Sequence, residues 1–348
     1  MKKSISIIIA AVSFMALSCS KTDTDSLGLK QSVEKGVSDI NYALKTISGT
    51  QDYQILIANS TPVNSEEKGS YADSITLDMV AGIYDFQPDF FHFHNFFIPY
   101  PLFKKTGTSD QMIVNLPQKL IFHPGHLHKV NPPDTLLNND FTIKASDYHY
   151  FYSWLNNFDY KLTADFTLDN NDLGSLEVIS ASEGATGSSY YSKYTFTEGY
   201  NINVSFQSGD TTISSFTLLK DDDVLMKETV VFTGTDFHRR ERQYILTIGN
   251  VDIKRGSGID SIQVYLDGVL QQKAGARIVD STDSDGSIRH HRDILLTFDD
   301  GTTTNLSDLL DPVHEVLKSI VDSLHSMNFA KNIVDYIAIG INYCMHYH

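Results

Sequence analysis

A chain of 348 residues, 41% hydrophobic and 20% charged, carries enough apolar side chains for one large core or two modest ones. Its net charge of −16 excludes a nucleic-acid role, which needs a basic face, and sets it against anionic lipid headgroups. With only Cys19 and Cys344, the first of them in the leader, an internal disulfide framework is excluded too.

The leader comes first in the chain. Lys2 and Lys3 form a positive start, and Ile5–Leu17 follow as an apolar run broken only by Ser6 and Ser13. A run of that length is short of the roughly 20 helical residues that span a bilayer, so it reads as a signal peptide covering residues 1–18. Ala16-Leu17-Ser18-Cys19 resembles the lipobox of bacterial cell-envelope lipoproteins of the Bacteroidota type, with Leu17 and Ala16 departing from the strictest pattern. The resemblance implies cleavage before Cys19 and acylation of its thiol and new amino group. Each buried CH₂ of an acyl chain contributes about 0.8 kcal/mol, so two or three chains anchor stably. It implies, further, an outer-membrane address with Ser20 after the cysteine. The tether of residues 19–28, with Lys21, Asp23 and Asp25, resembles the acidic export signal of surface lipoproteins in the same lineage, which implies the outer face. Loss of Lys2 and Lys3 with the leader takes the net charge to −18.

Residues 29–348 then read as a single β-rich globular domain, less regular over 29–135 and a meander sheet with a helix over 140–348. Leu29, Val33, Val37, Ile40, Leu44 and Ile47 recur at helical spacing, Gly36 is the weak point, and Ser48-Gly49 stops the run. Strands are expected at Gln54–Asn59, Ile75–Phe86 and Met112–Phe122. Between the last two lies Pro88–Phe103, crowded with Phe90, Phe91, Phe93, Phe96, Phe97, Tyr100 and Phe103, where Pro99 and Pro101 argue against a helix.

From residue 140 alternation is plain: Phe158, Tyr160, Leu162, Ala164, Phe166 and Leu168 share one face. Further strands fit Leu176–Ala181, Tyr190–Thr197, Tyr200–Phe206, Ile213–Leu219, Val224–Thr233, Gln243–Ile253, Ser261–Leu266, Val269–Lys273, Ala276–Asp280 and Asp293–Phe298. Asp267-Gly268 is a hairpin turn, and Ser208-Gly209-Asp210 and Asp300-Gly301 are tight connections. Tight turns force antiparallel neighbours, because parallel pairs need long crossovers. The expected fold is mainly β (β-rich α+β), a large curved antiparallel meander sheet or half-barrel backed by an N-terminal and a C-terminal helix. Asp311-Pro312 marks the start of the second helix, with Val313, Val316, Leu317, Ile320, Val321 and Leu324 as its stripe. Ile337, Ile339, Ile341, Tyr343, Met345 and Tyr347 revert to period two, the pattern of a terminal strand. Half-barrels of lipoprotein-carrier and lipid-binding envelope proteins are similar at the level of fold alone.

Histidines are the first candidates for chemistry. His92 and His94, and His126 and His128, form H-x-H pairs with His123 close by. On a strand, residues i and i+2 share a face, so two pairs could hold zinc or copper tetrahedrally. The plainer reading is polar residues in an aromatic loop region, since no carboxylate stands beside either pair to orient the rings. Asp280, Asp283, Asp285 and Gly286 suggest a calcium loop, but the EF-hand register puts Ser281 at position one and Arg292 at position twelve, so a solvated turn fits better. The chain contains no G-x-S-x-G, H-E-x-x-H, P-loop or G-x-G-x-x-G. A non-catalytic outer-membrane or surface lipoprotein with a lipid-like or glycan ligand, or a structural role, is the first expectation. A His-rich zinc or copper protein is the second, and a glycan or lipid hydrolase the third.

Overall fold

The computed structural model describes residues 28–58, 74–87, 102–118, 138–153, 157–184, 187–234, 241–256, 262–281 and 291–347. The chain is mostly β, with one large, unclosed antiparallel sheet and helices toward its two termini. Helix α1 (Leu29–Gly49) is the expected one, burying Leu29, Val33, Val37, Ile40, Leu44 and Ile47, and its run stops as expected, with the Thr50 N–H closing on the Ile47 carbonyl. Thr50 then caps a second helix, α2 (Gln51–Ala58), through its hydroxyl to the Tyr53 N–H. Where a strand is expected at Gln54–Asn59, the chain is helical as far as Ala58, because Asp52, Tyr53, Ile55 and Leu56 bury one helical stripe. Ile75–Phe86 divides into β1 (Ile75–Thr76), the single turn α3 (Leu77–Val80) and β2 (Gly82–Phe86).

The remaining strands among the described residues follow in chain order. They are β3 (Phe103–Gly107), β4 (Met112–Leu116), β5 (Phe141–Ser153), β6 (Asn157–Leu168), β7 (Asn171–Glu183) and β8 (Ser188–Phe196). Next come β9 (Tyr200–Ser208), β10 (Thr211–Lys220), β11 (Asp223–Thr233), β12 (Glu241–Ile248), β13 (Val251–Arg255) and β14 (Ile262–Leu266). The last are β15 (Val269–Leu270), β16 (Gly275–Ser281), β17 (His291–Thr297) and β18 (Thr303–Asn305). From β4 to β14 each strand pairs antiparallel with the next, and β16, β17 and β18 extend the sheet from β14. One parallel pairing is present among the described residues, β2 with β4, the intervening β3 lying on the other side of β2.

Gln243–Ile253 is not one strand but the hairpin β12–β13. Ile248 pairs with Val251 around Gly249-Asn250, and Gly249 takes φ 57°, a conformation that glycine adopts without a Cβ clash. The expected hairpin at Asp267-Gly268 has φ 50° and 76°, positive at both central residues as a type I′ turn requires.

Helix α4 (Leu306–Tyr347) corrects the sequence reading twice. It starts before Asp311-Pro312. Asn305 donates its side-chain N–H to Asp308 at 3.1 Å, and Asp293 on β17 accepts both the Ser307 backbone N–H, at 3.3 Å, and its hydroxyl. A cap assembled partly from a neighbouring strand leaves little trace in local sequence, and it overrides the proline signal. Pro312 sits inside the helix instead. At the other end no terminal strand forms. Phe329, Ala330, Ile333, Val334, Ile337 and Ala338 are buried in pairs four apart, and Ile339 and Met345 are left exposed. The helical stripe buries more apolar surface than the alternation would.

The helices lie against one face of the sheet: α1 packs on β11, β12, β13 and α4, and α2 on β7 and α4. Buried side chains from α1 through α4 join one continuous core. Asp52 lies inside it and anchors α2 to the corner between β8 and β9. Its carboxylate accepts the Tyr53 N–H at 2.9 Å and the Thr197 N–H at 3.2 Å. Burial raises its pKa above the ordinary carboxylate range, against these hydrogen bonds, which lower it.

Candidate functional site

The covered face of the sheet does not end where the helices do. Side chains on it fall into cross-strand rows, because directly paired residues point the same way. One row passes through Tyr194, Ile202, Leu218, Met226 and Ile248, all buried beneath the helices. Four residues further along the strands, on the same face, runs Tyr150, Tyr160, Ser180, Tyr190, Phe206, Ser214, Val230 and Tyr244. Eight strands at about 4.8 Å spacing make this row about 34 Å long. Burial is greatest at Tyr160, which is fully buried, and slackest around Phe206, which is 38% exposed. Tyr150, Phe158, Tyr190, Phe216 and Tyr244 are partly buried and pack against the edge of the core. The result is an aromatic shelf beyond the helices, continuous with the core.

At the inner end of the shelf α4 contributes two charged residues. Asp335 accepts hydrogen bonds from Tyr148 and Tyr160, each 3.1 Å from Oδ1, while Lys331 bonds Oδ2 at 2.6 Å. The ammonium also lies 4.6 Å from the centre of the Tyr160 ring, a cation–π contact. The pair is spaced i, i+4 on the helix, so one face of α4 delivers both groups to the sheet. Three donors fill most of the roughly four lone-pair positions of a carboxylate, so Asp335 organises the cluster. Ring packing continues outward: Tyr148 and Tyr160 meet edge to face, and Phe158 stacks on Tyr160 at 6.2 Å.

Burial, then the charge of Asp335, pushes the Tyr148 and Tyr160 hydroxyls well above their ordinary pKa, and burial with Glu228 raises Tyr244 too. Because the folded values exceed the unfolded ones, this contribution to stability is fully present below about pH 10 and is lost as pH climbs beyond it. Tyrosinate absorbance should therefore rise in two stages. Exposed rings ionise first, and a second group ionises together with loss of near-ultraviolet dichroism. If every tyrosine titrated near 10 with the fold intact, the buried cluster would be refuted.

Of the residues singled out from sequence, Cys19 and the histidines His92, His94, His123, His126 and His128 all lie outside the described residues, as do Asp283, Asp285 and Gly286 of the acidic turn. Among the described residues, no group of three or more His, Cys, Asp or Glu side chains is placed to hold a metal ion. Sequence reasoning missed the site found here. Alternation puts Tyr160 on the buried face of its strand, while the sequence reading includes neither β5 nor the helical phase of Lys331 and Asp335. The signal available was the alternation Tyr148, Tyr150, Tyr152.

No family model matches the chain, and neither a curated protein nor a solved structure does.

Proposed function

We propose that this is a lipid-anchored cell-envelope protein that binds a ligand on the aromatic shelf. The signal segment and Cys19 support the anchor, as the sequence reading has it. The observation that carries the binding role is the row from Tyr150 to Tyr244, in which a face apolar enough to be core runs out beyond the helices and leaves Phe206 exposed. Aromatic rings aligned on a rigid sheet offer stacking area at low entropic cost. An exposed apolar face continuous with a core is a mark of an interaction site. The cluster around Asp335 holds its rings in fixed orientation, which suits recognition more than turnover.

A thermal-shift panel of soluble glycans and lipids tests this. A ligand at a hundred times its Kd stabilises by about 2.7 kcal/mol. With an unfolding entropy of about 2 cal/mol/K per residue, that is a Tm rise of about 4 °C for a body of this size. Phe206→Ala should abolish the shift with little change in the Tm of the free protein. A panel that leaves Tm unmoved removes the reading. For the anchor, Cys19→Ser should release the protein from membranes of the native host.

A further inference from the structure

Resting on that reading, we infer that the inner end of the shelf is built for a neutral, polyhydroxylated ligand, a glycan chain, and that the hydroxyls of Tyr150 and Tyr190 are its specificity contacts. Three tyrosines gather there around one carboxylate, and a fourth, Tyr190, lies two strands along the row from Tyr160. Two of them, Tyr148 and Tyr160, spend their hydroxyls on Asp335. Tyr150 meets the Tyr160 ring edge to face at 6.4 Å, and after burial the charge of Asp335 raises its pKa, while Tyr190 shares the cross-strand row with Tyr160 through Ser180. Yet neither hydroxyl has a hydrogen-bond partner among the described residues. Neither oxygen is among the buried unpaired ones, so both face solvent and can bond a ligand that arrives.

The chemistry of the newcomer follows from what surrounds them. An acyl chain would cover these hydroxyls, and Ser214 on the same face, without satisfying them, and each such group weakens binding. A sugar ring presents C–H faces to Phe158, Tyr190 and Phe206 and hydroxyls to the tyrosine oxygens. An acidic polymer meets a chain of net charge −16, and Lys331 is already neutralised by Asp335 at 2.6 Å. A neutral glycan meets neither obstacle.

The test uses the full mature body against a neutral β-glucan, a mannan, a xylan, polygalacturonate and palmitate. One of the neutral polysaccharides should bind. Tyr150→Phe and Tyr190→Phe should each weaken it about fivefold, the loss of one hydrogen bond of about 1 kcal/mol, with Tm unchanged because no protein partner is lost. Tyr148→Phe or Tyr160→Phe should lower Tm instead. Unaltered affinity in the Tyr150→Phe/Tyr190→Phe double variant overturns the inference, and so does preference for polygalacturonate. Binding of palmitate alone overturns it too but leaves the shelf standing as a binding face. If nothing binds, the shelf reading itself has failed.

Discussion

Replacing Asp335 by alanine should destabilise the protein by about 3–5 kcal/mol. The reason is what the substitution strands. Two tyrosine hydroxyls, both on rings at most 2% exposed, lose their acceptor, and Lys331 loses its counter-charge. The side chains of Asp335 and Lys331 are 14% and 26% exposed, so solvent replaces neither interaction in full. Asp335→Asn keeps a carbonyl oxygen for the tyrosines but turns an amide donor toward the ammonium, and should fall between alanine and the parent. Lys331→Met should cost least, since Asp335 keeps both tyrosines and the methionine still covers the Tyr160 ring. Denaturant midpoints at constant m-value give the order. A loss below 1 kcal/mol for Asp335→Ala would mean that the cluster is already hydrated and holds nothing together.

How much of this could be read from the sequence divides along physical lines. Strand positions in the meander follow from local alternation, since Phe158 to Leu168 and Tyr200 to Phe206 each display their apolar face within one segment. The turn at Asp267-Gly268 was legible for the same reason, because positive φ at both central residues is a local demand. Errors arose where a distant partner decides. Asp293, on another element, caps α4, and the buried pairs from Phe329 to Ala338 outcompete an alternation that is equally visible in the letters. The shelf was illegible for a different reason. Its existence depends on which stretches of the sheet the helices fail to cover, and no segment of sequence contains that information.

Gly36 shows the same division within a single residue. Read alone, glycine in the middle of α1 is a weakness, and alanine there should help the helix by about 1 kcal/mol. The structure reverses the sign. A Cβ on Gly36 would lie 2.6 Å from Ile248 Cγ2 and 3.4 Å from the Ile248 carbonyl carbon and oxygen. Ile248 is fully buried on β12, directly before the Gly249-Asn250 turn, so its methyl cannot swing into solvent and its backbone is held by the ladder to β11 and β13. Overpacking of this kind costs about 1–3 kcal/mol, which exceeds the gain in helix propensity. Gly36→Ala should therefore destabilise, and Gly36→Leu, which must push α1 off the sheet, should prevent the native core from closing. Gly36→Ala combined with Ile248→Ala should recover part of the loss, because the smaller residue vacates the space that the new Cβ needs, although the cavity left by the isoleucine keeps it below the parent. Chemical denaturation of the three variants measures the coupling. If Gly36→Ala proves more stable than the parent, α1 does not approach β12 as closely as this packing requires.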